Sequence, residues 1–158
     1  QFIENPIYNE ANNISSAYLI RNQLANAYVL ESDLVLYNKE IIRKYEYSSN
    51  YTGMKVDVTD DWCFETKKDI ITKVKVGGND VHHMFGISYW SKEDAEQMCN
   101  DIDKVFHSPG GKERYWDEVP LKDCIDHYAI RIRPVNKGDV VEIDTFNELK
   151  QIDPIYNV

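Results

Sequence analysis

Residues 27–33 read "AYVLESD", a short apolar run closed by two acids. Residues 27–32 are a short run rich in strand formers, bounded by Asn26 before it and charge after it, which predicts a buried strand. Asp33 then falls at the carboxyl end of that strand, where open α/β sheets bind their ligands. What flanks the run must therefore supply helices and further strands.

Upstream, Pro6 and the polar "NEANN" (9–13) break any strand. Ile14, Ala17, Ile20 and Leu24 then recur at helical spacing and predict a helix from about 14 to 24, with Asn12 or Asn13 as its cap. Downstream, "MKVDV" (54–58), "WCFET" (62–66), "IITKVKV" (70–76) and "FGISYW" (85–90) are four strand candidates separated by turn residues. Ser91 and Asp94 form a capping pair, and Ala95, Met98, Ile102 and Val105 trace one helical face. After a loop at "SPGGK" (108–112), "HYAIRIR" (127–133) and "VVEI" (140–143) read as strands, and Thr145 opens a final helix through about Ile152. Interleaved helices and strands predict an α/β fold with a mixed sheet, in a single domain over residues 1–158.

Composition narrows the function. The 158 residues are 42% hydrophobic, enough for a packed core, and carry 18 Lys and Arg against 27 Asp and Glu, a net charge of −9. Polyanion binding depends on Lys and Arg neutralising phosphates, so nucleic acid is not an expected partner. Cations and divalent metals suit this surface better. Cys63, Cys99 and Cys124 are far apart and form no CxxC pair, which fits a reducing cytoplasm and suggests neither disulfides nor a zinc site. No apolar run approaches the ~20 residues of a membrane span, so no membrane partner is expected. Oligomeric state is left open.

Several constellations could carry chemistry. Asp33 and Asp144 each follow a strand; if they converge, they could hold Mg2+, and otherwise they are turn or cap residues. Asn12, Asn13, Ser15 and Ser16 surround a helix start, suited to a phosphate or a base edge and equally to ordinary capping. In "RYWDEV" (114–119), the ring faces of Tyr115 and Trp116 can wall a cation with Asp117 as counter-charge, and Trp62 after Asp60 and Asp61 offers a second such set. A quaternary ammonium suits such a cage. The alternative is that the rings fill the core while the acids face water. His82 and His83, adjacent in a strand, point to opposite faces and read as surface residues. No GxSxG or HExxH nucleophile or metal motif occurs.

Taken in order, "ENPIYNEANNISSAYLIRNQL" (4–24), "YVLESDLVL" (28–36), "DDWCFET" (60–66), "GISYWSKEDAE" (86–96), "RYWDEV" (114–119) and "VEIDTFNEL" (141–149) resemble the bacterial CTP:phosphocholine cytidylyltransferases of the sugar-nucleotidyltransferase superfamily. The likeness covers nearly all of the chain. It implies a Rossmann-like fold with a mixed, mostly parallel sheet and flanking helices. It further implies transfer of CMP from CTP to phosphocholine, giving CDP-choline and pyrophosphate. Asp33 and Asp144 would be the catalytic aspartates that hold Mg2+, Asn12, Asn13 and Ser15 would meet the nucleotide, and Trp62, Tyr115, Trp116 and Asp117 would form the choline pocket. The family's glycine-rich triphosphate loop, with its Arg and Pro-Lys segment, has no match here; Gly77 and Gly78 do not replace it. The expectation is that the chain corresponds to the C-terminal two-thirds of the family fold. Rival acceptors are aminoethylphosphonate, phosphoethanolamine and a sugar 1-phosphate, and a noncatalytic choline- or nucleotide-binding module is the rival class.

Overall fold

The computed structural model of the chain describes residues 1–157. The helical spacing after Asn13 produces α1 (Ile14–Ile20), which tightens into a 3-10 turn at Arg21–Gln23, so the expected helix is present with its last turn wound more tightly. Ile14, Ala17 and Leu24 are buried along it. The run at residue 27 forms β1 (Ala27–Leu30), and after Glu31, Ser32 and Asp33 comes a short β2 (Leu34–Leu36).

The four middle strand candidates are two long strands, β3 (Asn50–Lys67) and β4 (Ile70–Trp90). They join at Lys68 and Asp69, whose φ values of 52° and 64° match the left-handed pair of a type I′ hairpin turn. The turn residues that seemed to separate strands are irregularities within them. The register slips between Thr59 and Trp62, and Gly77 and Asp80 adopt positive φ, so each strand bends without ending. The bend brings Cys63 and Phe64 against both arms of β4, opposite Lys75 and Val74 and again opposite His83 and His82.

The main sheet has the order β1-β4-β3-β5, with β5 at Arg131–Pro134. The α/β class and mixed sheet are as expected, whereas the expected mostly parallel balance is not observed. Among the described residues β3 with β5 is the sheet's one parallel strand pairing, while β1 and β3 both run antiparallel to β4. A two-residue turn can only return the chain antiparallel, and one hairpin supplies both central strands. Strand β5 starts later than expected because Ile125–His127 forms a 3-10 turn. A separate two-stranded sheet pairs β2 with β6 (Val140–Glu142).

Helix α2 (Lys92–Phe106) begins where expected, with the Ser91 side chain accepting from the Asp94 N–H. It buries Ala95, Met98, Ile102 and Phe106 in a core shared with Tyr51, Phe64, Trp90 and Trp116. Each such large apolar side chain contributes about 1.5–3 kcal/mol on burial. A smaller cluster joins Ile41, Phe85, Ile87, Val135 and Val140 and supports the β2–β6 ribbon. Thr145 and Glu148 form a complete capping box at the start of α3 (Phe146–Ile152).

Candidate active site

The β2–β6 ribbon brings two distant chain segments together. Leu34 stands opposite Glu142, and the Ile143 N–H donates to the Asp33 carbonyl at 2.9 Å. The segment leaving β1 (Glu31, Ser32, Asp33) and the segment leaving β6 (Ile143, Asp144) therefore open onto one cavity of about 800 Å3. Carboxylate oxygens of Glu31, Asp33 and Glu142 lie within 4.8 Å of one another. Asp144 lines the same cavity but falls outside that trio. Glu31 and Glu142 were not singled out by sequence reasoning, although the signal was present. "ESD" and "EID" each put two acids two residues apart, on one face of an extended segment.

Crowding of these acids shows in their protonation. Glu31 is pushed up to about 7 by burial, helped by the charges of Asp117 and Asp33. Burial likewise takes Glu142 to about 7, with Asp144, Asp33 and Glu31 adding to it. The Glu31 carboxylate occupies the space above Gly86, where any side chain on that glycine would overlap it. Hard carboxylate oxygens in a mutually repelling group are the donor set that Mg2+ takes, so the residues present fit that ion.

The far part of the cavity is aromatic and acidic. Trp62 and Tyr115 meet edge to face with ring centroids 6.2 Å apart, and Tyr115 is 47% exposed. Trp116 also borders the cavity, but at 6% exposure most of its surface is in the core, where it packs edge to face on Trp90 at 6.0 Å. Asp117 is 9% exposed and accepts the Tyr51 O–H at 3.2 Å. Burial pushes its carboxyl up to about 6, against the pull of that hydrogen bond. Neighbouring Glu118 accepts the Tyr115 N–H at 3.1 Å and Lys122 Nζ at 2.8 Å, which fixes the loop carrying the rings.

The three residues expected to meet the nucleotide stay together, and Asn13 alone of them also reaches the large cavity. Asn13 lines the large cavity, and its Oδ1, free of any capping bond, accepts the Trp116 N–H at 2.8 Å. Asn12 instead donates to the Glu113 carbonyl, and buried Ser15 is held between the Asn12 carbonyl and Asn5 Nδ2. With Asn13, both border a shallower hollow of about 270 Å3 shared with Asn5 and Tyr8. Among the described residues lining the large cavity there are seven carboxylates (Glu31, Asp33, Asp61, Asp117, Glu118, Glu142 and Asp144) and no Lys, Arg or His.

No family model matches the chain. A 2-aminoethylphosphonate cytidylyltransferase from Lancefieldella rimae is 31% identical over 98% of this chain and 64% of its own length. A choline-phosphate cytidylyltransferase from Streptococcus pneumoniae is 26% identical over 98% of this chain and 68% of its own length. The solved structure of CTP:phosphocholine cytidylyltransferase from Streptococcus pneumoniae superposes with a TM-score of 0.83 at 27% identity, over 96% of this chain and 66% of that one. The chain is a homologue of the cytidylyltransferases, within the nucleotidyltransferase superfamily. This cytidylyltransferase homologue spans about two thirds of the length of the relatives it matches. Its fold extends further, to an inositol-1-phosphate CTP transferase from T. maritima with a TM-score of 0.66 at 11% identity. Among its described residues no helix is long and apolar enough to cross a membrane.

Proposed function

We propose that the chain carries the acceptor- and metal-binding part of an enzyme that transfers CMP from CTP to phosphocholine, giving CDP-choline and pyrophosphate. The observation that supports this reading is the cavity, with Trp62 and Tyr115 beside a lining whose charged groups are all acidic. A trimethylammonium group has no N–H to satisfy and is attracted both to ring faces and to a carboxylate such as Asp117.

In the reaction, a phosphate oxygen of phosphocholine attacks the α-phosphorus of CTP in line as the bond to the β-phosphate oxygen breaks, and pyrophosphate leaves. No protein nucleophile is required. Trp62, Tyr115 and Asp117 hold the ammonium end, which turns the acceptor phosphate toward the acids at the strand ends, so the chain acts by positioning. Glu31, Asp33 and Glu142, with Asp144 beside them, would hold Mg2+, which when bound supplies positive charge to offset that on the phosphates. Asn13 keeps Trp116 and its neighbours in register with α1.

A second reading takes 2-aminoethylphosphonate as acceptor. It is favoured by the 31% identical relative and by the carboxylates of Asp117, Glu118 and Glu31, which can accept from a primary ammonium's three N–H groups. The test is pyrophosphate release by the natural polypeptide that carries this chain, with CTP and Mg2+ and each of phosphocholine, 2-aminoethylphosphonate, phosphoethanolamine and glucose 1-phosphate. Highest kcat/KM with phosphocholine is expected. A preference for the phosphonate would establish the second reading, and no release with any acceptor would leave a noncatalytic binding module.

A further inference from the structure

Outside the cavity lies a second group of chemically capable side chains. Cys124 and His127 are three residues apart in a tight turn closed by the His127 N–H donating to the Cys124 carbonyl at 2.9 Å. The turn rests on α2 at Asp101, which is 4% exposed. His127 Nδ1 stands 2.8 Å from Asp101 Oδ2, and the ligand atoms of Asp101, Cys124 and His127 all lie within 4.8 Å of one another. None of the three lines the large cavity. We propose that Asp101, Cys124 and His127 form a three-ligand site for a thiophilic divalent cation of the zinc class.

The donor set is one sulfur, one imidazole nitrogen and one carboxylate oxygen, each a ligand type that zinc takes, and the turn delivers Cys124 and His127 from one short segment. Zinc bonds of about 2.0–2.3 Å place tetrahedral donors roughly 3.3–3.8 Å apart, so the 2.8 Å His127–Asp101 pair opens by about 0.5 Å while donors as far as 4.8 Å apart close by about 1 Å, which leaves a fourth position for water. The site is reachable, because the His127 side chain is 46% exposed. Its carboxylate is also already oriented: Tyr128 donates to Asp101 Oδ2 at 2.6 Å, and Gln97 Nε2 contacts both oxygens at 3.2 Å. Outer partners of this kind are what hold a ligating group in place. Sulfur and imidazole donors disfavour Mg2+, so this site and the all-carboxylate group select different ions. A bound ion here ties α2 to the segment that leaves Asp117, behind the aromatic wall.

Co2+ added to the chain reads the site directly, since a cobalt–thiolate bond gives a near-ultraviolet charge-transfer band. One equivalent should bind with that band, Zn2+ should displace it mole for mole, and excess Mg2+ should not. Cys124→Ser should abolish the band while Cys99→Ser keeps it. His127→Gln, changed at a half-exposed position, should weaken Co2+ by more than the roughly 10–100-fold typical of losing an outer-shell partner. Absence of a thiolate band, its survival in Cys124→Ser, or its loss in Cys99→Ser overturns the site. If Cys124→Ser does not fold, as judged by circular dichroism, His127→Gln decides: unchanged Co2+ affinity overturns it.

Discussion

Asp117 carries an internal conflict that can be measured. Its carboxyl is nearly enclosed, and burial lifts it from 3.8 to about 6. The folded value lies above the unfolded one, so the fold favours the protonated acid, and stability falls as pH rises from about 4 through 6 before levelling off. A shift of about two units corresponds to at most about 3 kcal/mol. Asp117→Asn keeps an acceptor for Tyr51 and should raise unfolding free energy at pH 7.5 by up to that amount, with no gain at pH 3.5. Denaturant melts at the two pH values test this, and equal gains at both would rule out the ionised carboxylate as the cause. The same variant should raise KM for a cationic acceptor, a loss of function traded against stability. The two tryptophans separate along the same line. Trp116→Ala removes a core ring and should cost about 3–5 kcal/mol of stability. Trp62→Ala should cost less and raise the acceptor KM roughly 5- to 30-fold, the worth of about 1–2 kcal/mol of cation–π attraction, while KM for CTP stays within twofold. Parallel rises in both KM values would place Trp62 outside the acceptor pocket.

Strand ends rather than single residues build the acidic group. Glu31 follows β1 and its N–H donates to the Gly86 carbonyl at 2.9 Å, so β4 sets where the carboxylate lies and Gly86 leaves it room. Gly86→Ala keeps an ordinary strand backbone but drives a methyl into the movable end of Glu31. Activity should fall at least tenfold and respond to higher Mg2+, with stability lowered by no more than about 1–3 kcal/mol, the scale of an added methyl that a neighbour must accommodate; full activity at low Mg2+ would remove Glu31 from the group. This element-level view also explains what the sequence could reveal. Helix α2 and α3 were legible because Ser91 and Thr145 announce their starts and apolar residues repeat at one spacing. Strands β3 and β4 were read as four because Asp60, Asp61, Gly77 and Gly78 look like turns, and nothing local says that a bulge lets pairing continue. The β2–β6 ribbon was not legible as a pair at all. Each strand is three residues long, too short for a period, yet this pairing is what brings Asp33 near Glu142.

At the scale of the whole molecule, the net charge of −9 is not spread evenly, since seven carboxylates share one cavity that no basic side chain lines among the described residues. Composition announced a preference for cations, and the resemblance assigned Asp33 and Asp144 to a metal and Trp62, Tyr115, Trp116 and Asp117 to a choline pocket; all six line the one cavity. Asn12 and Ser15 stand outside that cavity, where hydrogen bonds with Glu113 and Asn5 brace the loop before α1, and such partners are long-range facts that no local pattern encodes. Concentrated like charge opposes folding, so an ion that binds only the folded chain must stabilise the whole of it by mass action. At ten times its dissociation constant, Mg2+ should contribute about 1.4 kcal/mol, which for a chain of this size raises Tm by roughly 3–6 °C. Thermal melts with and without Mg2+ at constant ionic strength measure this, with Na+ making up the difference. Asp33→Asn removes one ligand and relieves repulsion, so it should melt higher than the parent without Mg2+ and lose most of the Mg2+ increment. An increment that survives in Asp33→Asn would mean that the ion acts by screening the surface, and the group at the strand ends would then not be its site.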